Sequence, residues 1–262
     1  MIPAILSIAG SDPSGGAGIQ ADIKAISANG GYAMAALTAL TAQNTTGVFG
    51  IETLAPDFVA QQITTVFDDI RVDAVKIGMI ANTAIAARVA QTLTERAAPF
   101  IVLDPVMVAK GGDRLLDAEA VLTMRTHLLP LASVLTPNLP EAAILLGEAE
   151  ITRPEDMPAL AERLRALGPR AVLLKGGHLR GQGSPDYLMT EAGGTWLEGA
   201  RIATGNTHGT GCTLSSALAT QLALTGDVLE AARAAKAYVT RAIAGADDLD
   251  IGKGHGPLHH FA

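Results

Sequence analysis

A short glycine turn carries the most reactive side chain of this sequence. Residues Thr207–Cys212 read Thr-His-Gly-Thr-Gly-Cys, contain the single cysteine of the chain, and lead directly into an alanine- and leucine-rich segment. The first turn of a helix leaves backbone N–H groups unpaired and carries partial positive charge, and glycines let an anion approach that backbone closely. Two interpretations fit: a phosphate site at which Cys212 takes a proton from the attacking group, or a capped helix with a small buried cysteine.

Polar residues follow several apolar runs, at the point where each run ends. In chain order these positions are Gly10-Ser11-Asp12, Asp104, Thr136-Pro137-Asn138 with Glu141 one turn later, and Lys175-Gly176-Gly177. Ligands of parallel α/β sheets bind beyond the carboxyl ends of the strands, so these groups are expected on one rim. Ordinary roles are also open to them: Asn138 as a helix N-cap, Glu141 as a first-turn acid, and Lys175 as a strand-end lysine that reaches solvent.

Together these groups suit phosphoryl transfer. Asp104 and Glu141 are hard oxygen donors for Mg²⁺, and Lys175 is a point charge for a phosphate. N–H groups of the glycine turn would stabilise negative charge in a transition state that asks mainly for positioning and electrostatics. The sequence holds no G-x-x-x-x-G-K-[ST] motif, its glycines at 15–18 do not fit G-x-G-x-x-G, and its six histidines lack zinc-ligand spacing.

Buried strands and amphipathic helices must position these groups. Runs that are apolar at successive positions predict strands covered on both faces, over Ala4–Ala9, Ala74–Met79, Phe100–Leu103, Ser133–Leu135 and Ala171–Leu174. Apolar spacings of three and four predict helices through Ile85, Val89 and Leu93, and through Met157, Leu160, Leu164 and Leu167. A capping box at Thr152–Glu155 is expected to begin the second of these helices, which should end at Gly168-Pro169.

The C-terminal part of the sequence predicts a strand pair and two long helices. Turns at Gly181–Ser184 and Glu191–Thr195 surround antiparallel strands at Tyr187–Thr190 and Trp196–Gly199, and the helices follow at Thr210–Leu224 and Val228–Ala244. Alternating strands and helices indicate an α/β fold, with a mostly parallel sheet and helices on both of its faces. No long linker or repeat interrupts the pattern, so residues 1–262 are interpreted as one domain.

The composition narrows the classes of partner. A hydrophobic fraction of 48% with only 3% aromatic residues predicts a core built from alanine, leucine, isoleucine and valine. The net charge of −7 argues against nucleic acid or an anionic membrane as the main partner. One cysteine cannot form an intramolecular disulfide, which favours a reducing cytoplasm. The short apolar start, Met1–Leu6, lacks the basic flank of a signal peptide.

These motifs, in order along nearly the whole chain, resemble the hydroxymethylpyrimidine/phosphomethylpyrimidine kinases of the ribokinase-like superfamily. The matching segments are Ile8–Asp22, Thr41–Asn44, Lys76–Met79, Leu103–Met107, Leu135–Glu141, Leu174–His178, His208–Cys212 and Gly254–Pro257. The resemblance implies a three-layer α/β/α kinase of the ribokinase-like type that uses ATP and Mg²⁺. It also implies phosphorylation of 4-amino-5-hydroxymethyl-2-methylpyrimidine, and then of its monophosphate to the pyrophosphate, in thiamine biosynthesis.

The resemblance further implies roles for individual residues. Gln43 would hydrogen-bond the aminopyrimidine, because an amide offers a donor and an acceptor side by side. The pocket is expected to include Gly10, Ala17, Asp22, Met79 and Val106, and the nucleotide to meet Asn138, Lys175, Thr207 and Thr210. Asp104 and Glu141 would hold Mg²⁺, while Gly209, Gly211 and Lys175 would assist the reaction. Cys212 would stand where most sugar kinases of the superfamily carry an aspartate base, its pKa lowered by the helix N-terminus.

Two other functions remain open at this stage. A pyridoxal or pyridoxine kinase acts on a similar heterocycle that also carries a hydroxymethyl group, and some similar proteins act on both substrates. A non-catalytic pyrimidine-binding protein of the same fold is the second alternative, although the joint presence of Asp104, Glu141, Lys175 and Cys212 argues against it. Relatives commonly form homodimers, so a homodimer is expected. The need for a monovalent cation stays open.

Overall fold

A nine-stranded sheet forms the centre of the computed structural model, which describes residues 1–107 and 118–262. The strands are β1 Ala4–Ser11, β2 Tyr32–Asn44, β3 Gly47–Thr53, β4 Ala74–Ile77, β5 Ile101–Leu103, β6 Val134–Leu135, β7 Ala171–Lys175, β8 Asp186–Thr190 and β9 Gly193–Leu197. The α-helices of the described ranges are α1 Gly18–Ala28, α2 Pro56–Asp69, α3 Thr83–Glu95, α4 Ala118–Thr123, α5 Leu139–Leu146, α6 Met157–Arg165, α7 Thr210–Thr225 and α8 Val228–Ala244.

The order of the strands creates a crevice at one rim of the sheet. Across the sheet the order is β3-β2-β1-β4-β5-β6-β7-β8-β9. The six central strands β2, β1, β4, β5, β6 and β7 pair in parallel, while β3, β8 and β9 pair antiparallel at the edges. The chain leaves β1 toward β2 on one side and later returns to β4 on the other side. Ligands of open α/β sheets bind at such a reversal, beyond the carboxyl ends of the strands.

Helices cover both faces of this sheet and bury two separate apolar layers. On one face, residues of α2, α3, α5 and α6 pack against the sheet through side chains such as Ile63, Val89 and Leu164. On the other face α1, α7 and α8 pack through side chains such as Ile26 and Leu218. Each fully buried leucine or isoleucine contributes roughly 1.5–3 kcal/mol, which holds the strand ends in place. The predicted α/β fold with helices on both faces is confirmed.

Most predicted elements are confirmed within a few residues. The five apolar runs correspond to β1, β4, β5, β6 and β7, although the run at Ala74–Met79 forms a strand only as far as Ile77. The spacing through Ile85, Val89 and Leu93 marks the buried face of α3, and that through Met157, Leu160 and Leu164 marks the buried face of α6. No helix in the described ranges is long and apolar enough to cross a membrane.

Two local predictions are wrong. The capping box at Thr152–Glu155 does not form, because the Arg153 guanidinium binds the Asp156 carboxylate at 2.8 Å and a 3₁₀ turn, Pro154–Asp156, precedes α6. The strand predicted at Trp196–Gly199 begins earlier, at Gly193. Gly193 has a φ of 119°, so the chain completes a tight turn at this residue and β9 starts there. Only glycine adopts this conformation readily, so the predicted turn at Glu191–Thr195 shortens to its first residues.

Candidate active site

A cavity of about 930 Å³ opens at the carboxyl ends of the parallel strands. It is lined by fourteen of the fifteen residues to which the sequence analysis gave a role: Gly10, Ala17, Gln43, Met79, Val106, Asp104, Asn138, Glu141, Lys175, Thr207, Gly209, Thr210, Gly211 and Cys212. The expected gathering of polar groups at one rim is therefore confirmed. A volume of this size lies within the usual range for small-molecule sites.

Asp22 is the exception, and its prediction as a pocket residue is wrong. Its carboxylate is fully buried, and both of its oxygens lie 2.9 Å from the ammonium of Lys76. The hydroxyls of Ser7 and Ser216 donate to the same carboxylate at 2.6 and 2.8 Å. Because every contact of Asp22 points into the protein, this residue supports the site from within the core. The sequence does carry a signal for this buried carboxylate, namely the lysine in the apolar strand β4, since a buried cation needs a buried counter-charge.

The glycine turn begins α7 and brings its backbone to the cavity. Gly209 is the N-cap residue with a φ of 78°, and a Cβ at this position would overlap the carbonyl oxygen of Gly16. A Cβ on Gly211 would lie 3.2 Å from an oxygen of Asp104 and 3.3 Å from Nζ of Lys175. Glycine at these two positions therefore leaves the free N–H groups of the helix open to a ligand between the turn and the strand ends.

Cys212 lies three residues after the N-cap, so the turn begins a helix, as the second sequence interpretation expected, and it also lines the cavity. Burial raises the pKa of the thiol to about 11, with Asp22 and Asp104 adding to the increase, while Lys76 and the Gly18 N–H act in the opposite direction. The expectation of a lowered pKa is therefore wrong for the free chain. Removal of the thiolate from water outweighs the helix N-terminus.

A lysine and two carboxylates form the polar centre of the cavity. Nζ of Lys175 lies 2.9 Å from Oδ1 of Asp104 and 3.8 Å from Oε2 of Glu141, and the Thr136 hydroxyl also donates to Asp104 at 3.1 Å. Burial alone would lower the pKa of Lys175, but the two carboxylates outweigh it and raise that pKa. Lys175 is therefore a permanent cation at the rim, as a phosphate-binding residue must be.

Asn138 and Glu141 serve the fold and the cavity at once. The Asn138 side chain accepts from the Glu141 N–H, and Glu141 Oε2 accepts from the Asn138 N–H, both at 2.8 Å, which is a complete capping box for α5. The ordinary roles foreseen for both residues are thus real, and both still line the cavity. Burial raises the pKa of Glu141 to about 7; Lys175 lowers it and Asp104 raises it further.

The carboxylates suit a magnesium ion that keeps most of its water. Within residues 1–107 and 118–262, no group of three or more His, Cys, Asp and Glu side chains could hold a metal ion. Asp104 and Glu141 instead offer two hard oxygen donors with Lys175 between them. This donor set fits Mg²⁺, which commonly uses one or two carboxylates together with waters and substrate phosphates.

One part of the cavity is mostly apolar and carries a few side-chain hydrogen-bonding groups. Ala17, Met79 and Val106 line it together with Gln43 of β2. Next to the Gln43 amide lies His208, whose Nε2 contacts Oδ2 of Asp12 at 2.8 Å. Asp12 was expected on the rim and His208 lies within the glycine turn, but no specific role was predicted for either side chain.

The other part of the cavity is built from the C-terminal half and was also missed. Lys236 of α8 lies 2.7 Å from Asp186 of β8, and the opposite oxygen of Asp186 accepts from the Gly176 N–H. Arg201 donates to the carbonyl oxygens of Gly177, Leu179, Gly181 and Gly183 and thereby joins two loops of the wall. No sequence motif marks these residues, because they meet only when α8 packs on the sheet.

The fold and this cavity define the chain as a small-molecule kinase of the ribokinase-like class. The profile of the phosphomethylpyrimidine kinase family matches residues 12–259. The chain therefore belongs to the phosphomethylpyrimidine kinase family, and it is a phosphotransferase.

Named relatives agree with this assignment. The hydroxymethylpyrimidine/phosphomethylpyrimidine kinase of Salmonella typhimurium is 50% identical over 256 residues, which cover 98% of this chain and 96% of the relative. A crystal structure of a Bacillus subtilis pyridoxal kinase in complex with ADP is similar with a TM-score of 0.92 at 38% identity, covering 99% of this chain and 98% of that one. A phosphomethylpyrimidine kinase of Clostridium difficile gives 0.82 at 43% identity, covering 92% and 99%.

Proposed function

We propose that this protein phosphorylates the hydroxymethyl group of 4-amino-5-hydroxymethyl-2-methylpyrimidine with ATP, and then phosphorylates the resulting monophosphate to the pyrophosphate. The observation that carries this proposal is the continuity of the cavity. A mostly apolar pocket with the Gln43 amide opens directly on the glycine turn and on Lys175. Such a pocket suits a small ring with one polar edge, and the turn suits the phosphate to be transferred.

In the proposed first step, the hydroxyl oxygen of the pyrimidine bonds to the γ-phosphorus, and the bond from that phosphorus to the β,γ-bridging oxygen breaks. The hydroxyl proton passes to the thiolate of Cys212, and ADP leaves. The N–H groups of Gly209 and Gly211 would face the transferred phosphoryl group, and Lys175 would neutralise part of its charge. Phosphoryl transfer requires little covalent chemistry from the protein. The hydroxyl proton therefore needs to leave only while the new oxygen–phosphorus bond forms.

The nucleotide is assigned to the part of the cavity that Asn138, Thr207 and Thr210 line, next to Lys175. Asp104 and Glu141 would hold Mg²⁺, which when bound neutralises phosphate charge. The proposal is supported by the position of both carboxylates beside Lys175 rather than beside the apolar pocket. Gly10, Ala17, Met79 and Val106 are the proposed walls of the pyrimidine site.

The role of Cys212 predicts a distinctive pH dependence. Because the pKa of the thiol is near 11 in the free chain, the thiolate is the minor form at neutral pH. Turnover should therefore rise with pH through the neutral and mildly alkaline range. The Cys212→Ser variant should lose about 10²-fold or more in kcat, since general bases contribute about 10²–10⁴-fold.

Measurement of ADP release with the pyrimidine, with and without Mg²⁺, tests the function, and the pH profiles test the base. Cys212→Asp should retain more activity than Cys212→Ser, and its rise with pH should shift to lower pH, because the ordinary pKa of a carboxyl group lies several units below that of a thiol. Near-normal turnover of Cys212→Ser with an unchanged pH profile would exclude the cysteine as the base. No pyrimidine-dependent ADP at all would exclude the function.

A pyridoxal kinase activity is the second candidate, and the similarity to the Bacillus subtilis pyridoxal kinase favours testing it. Comparison of kcat/KM for the pyrimidine and for pyridoxal separates the two functions. Binding of the pyrimidine monophosphate is a second criterion, because only the two-step kinase must accept a phosphorylated substrate. A non-catalytic pyrimidine-binding protein would bind the pyrimidine without any release of ADP.

We also infer that the chain acts as one kinase domain in a cytoplasmic homodimer. Support for the dimer comes from the edge formed by β2 and β3, where Leu40, Phe49 and Ile51 are between 46% and 71% exposed. Large apolar side chains left exposed at the edge of a sheet are consistent with an interaction surface. Sedimentation of the purified protein tests this state, and substitution of Phe49 by Asp should shift it toward monomer.

A further inference from the structure

The C-terminal strap, residues 252–257, contacts two segments of the cavity wall without lining the cavity itself. It includes the Gly254–Pro257 motif, to which the proposed reaction gives no role. Beyond the strap, Leu258 is buried, and the carbonyl oxygen of His260 accepts from the Tyr238 hydroxyl at 2.9 Å. The chain after the strap is therefore fixed to the core, which anchors the strap.

On one side, the strap binds the end of the hairpin formed by β2 and β3, residues 43–48, which we call the hairpin end. The Gly254 N–H donates to the Thr45 hydroxyl oxygen at 3.2 Å, and the His255 N–H donates to the Thr45 carbonyl at 3.0 Å. Five of the seven residues of β3 are exposed, so the hairpin has little apolar packing of its own. Gln43 lines the cavity two residues before Thr45. The strap therefore stabilises the part of β2 that reaches the cavity.

On the other side, the strap binds the loop that leads into α7. The His208 N–H donates to the Gly256 carbonyl at 3.0 Å, and the Gly256 N–H donates to Oδ1 of Asn206 at 3.1 Å. The amide nitrogen of Asn206 in turn donates to Asp247 at 2.8 Å, which fixes its orientation. The strap thus pairs directly with His208, which is part of the glycine turn.

The strap fits against both segments with no room for a larger residue at its two contact points. A Cβ on Gly254 would overlap the carbonyl oxygen of Thr45 and lie 2.9 Å from Cα of Thr46. A Cβ on Gly256 would overlap Oδ1 of Asn206. Neither glycine has a positive φ, so close contact rather than backbone conformation accounts for glycine at both positions. The strap therefore links the hairpin end to the glycine turn at a fixed distance.

We infer that the C-terminal strap is a positioning element that holds the hairpin end against the glycine turn and so sets the position of the acceptor ring relative to the transferred phosphoryl group. This inference rests on the proposed function, which assigns the ring to the pocket beside Gln43 and the phosphoryl group to the turn. The two sides approach closely, since the Gln43 amide lies 3.4 Å from Nε2 of His208. A misplacement of about 1 Å can cost about 10²-fold in rate, so a contact that fixes this distance affects the acceptor directly.

Gly254→Ala tests the strap on the side of the hairpin. Its Cβ should push the hairpin end outward, so we expect the KM for the pyrimidine to rise by about tenfold. The KM for ATP should change by less than about twofold, because Gly254 faces the hairpin rather than the nucleotide part. Neither KM depends on the fraction of folded enzyme, so a loss of stability alone would move neither value. Amide hydrogen exchange at residues 43–48 should become faster in this variant, which is a readout independent of activity.

Gly256→Ala tests the side of the glycine turn through a double-mutant cycle with Asn206→Ala. Alone, it should lower kcat/KM for the pyrimidine by about tenfold, because its Cβ meets the Asn206 side chain. In the Asn206→Ala background this overlap is absent, so adding Gly256→Ala should lower kcat/KM further by less than about twofold. Gly205→Ala is the matched control in the same loop. A Cβ at Gly205 meets nothing within 4 Å, so KM, kcat and hydrogen exchange should stay unchanged.

The outcomes separate this inference from the proposed function. A wild type that releases no ADP with the pyrimidine overturns the proposed function, while hydrogen exchange still tests whether the strap holds the hairpin end. An active wild type whose KM for the pyrimidine is unchanged by Gly254→Ala overturns the positioning role. Equal increases in both KM values, or a Gly256→Ala effect that persists in the Asn206→Ala background, also overturn it, because they indicate a general disturbance of the cavity.

Discussion

Two lysine–carboxylate groups contribute to the electrostatic environment of the Cys212 thiol, and they differ in their access to the cavity. Lys76 and Asp22 are sealed in the core, and Ser7 and Ser216 satisfy the remaining acceptor sites of the carboxylate. Lys175 with Asp104 and Glu141 instead lines the cavity, and the Lys175–Glu141 distance of 3.8 Å is too long for a strong hydrogen bond.

The difference separates a structural pair from a group that is proposed to bind ligands. A sealed ion pair whose carboxylate is fully hydrogen-bonded and out of reach of the cavity has nothing left to offer a ligand. The open group, which is Lys175 with Asp104 and Glu141, keeps a cation and two carboxylates at the cavity. The pKa of its Glu141 is raised to about 7, mainly by burial. Perturbed groups of this kind gather at functional sites. The same residue types therefore have different functions according to what surrounds them.

The largest effect is expected when the sealed pair is broken. Lys76→Met keeps the length of the side chain but leaves the Asp22 carboxylate buried without a counter-charge, so the free energy of unfolding should fall by about 3–5 kcal/mol. Urea denaturation measures this change. Lys253→Met, at an exposed lysine, is the control and should alter stability by less than about 0.5 kcal/mol. A Lys76→Met protein as stable as the wild type would show that the pair is not structural.

The open group should respond in activity rather than in stability. Lys175→Met removes the cation that is proposed to face the transferred phosphate, and kcat/KM should fall by about 10²–10³-fold, as when one stabilising donor is lost from a transition state. Lys175→Met should lose less stability than Lys76→Met, because carboxylates at the cavity can be hydrated or protonated. We expect the two losses in free energy of unfolding to differ by at least about 2 kcal/mol. Steady-state kinetics and urea denaturation of both variants give the comparison. Equal losses of stability would contradict the distinction between the two groups.

The sequence predicts the open group well and the sealed group poorly, for a physical reason. Asp104, Glu141 and Lys175 follow strand ends, and parallel strands bring their carboxyl ends to one rim, so their meeting can be foreseen. Asp22 lies on a helix, and which side of a helix faces the core depends on packing. The resemblance placed it in the pocket, but it binds Lys76 one layer deeper.

Burial explains the other failures. The pKa of Cys212 depends on how much water reaches the thiol, and no local pattern encodes this. Strands β2 and β3 were not predicted, because their partly exposed residues lack the continuous apolar runs that marked the inner strands. Lys236 and Asp186 come together only through the packing of α8.

The smallest change in stability and activity is expected at Asn138, which caps a helix and also lines the cavity. Asn138→Ala removes the N-cap of α5 and should cost about 1 kcal/mol of stability, with a raised KM for ATP. Asn138→Ser retains a capping oxygen but not the longer amide, so it should recover the stability while the KM for ATP stays high. Denaturation and kinetics of the two variants divide the roles. If serine restores both quantities, the cap alone accounts for Asn138, and the nucleotide is bound without its side chain.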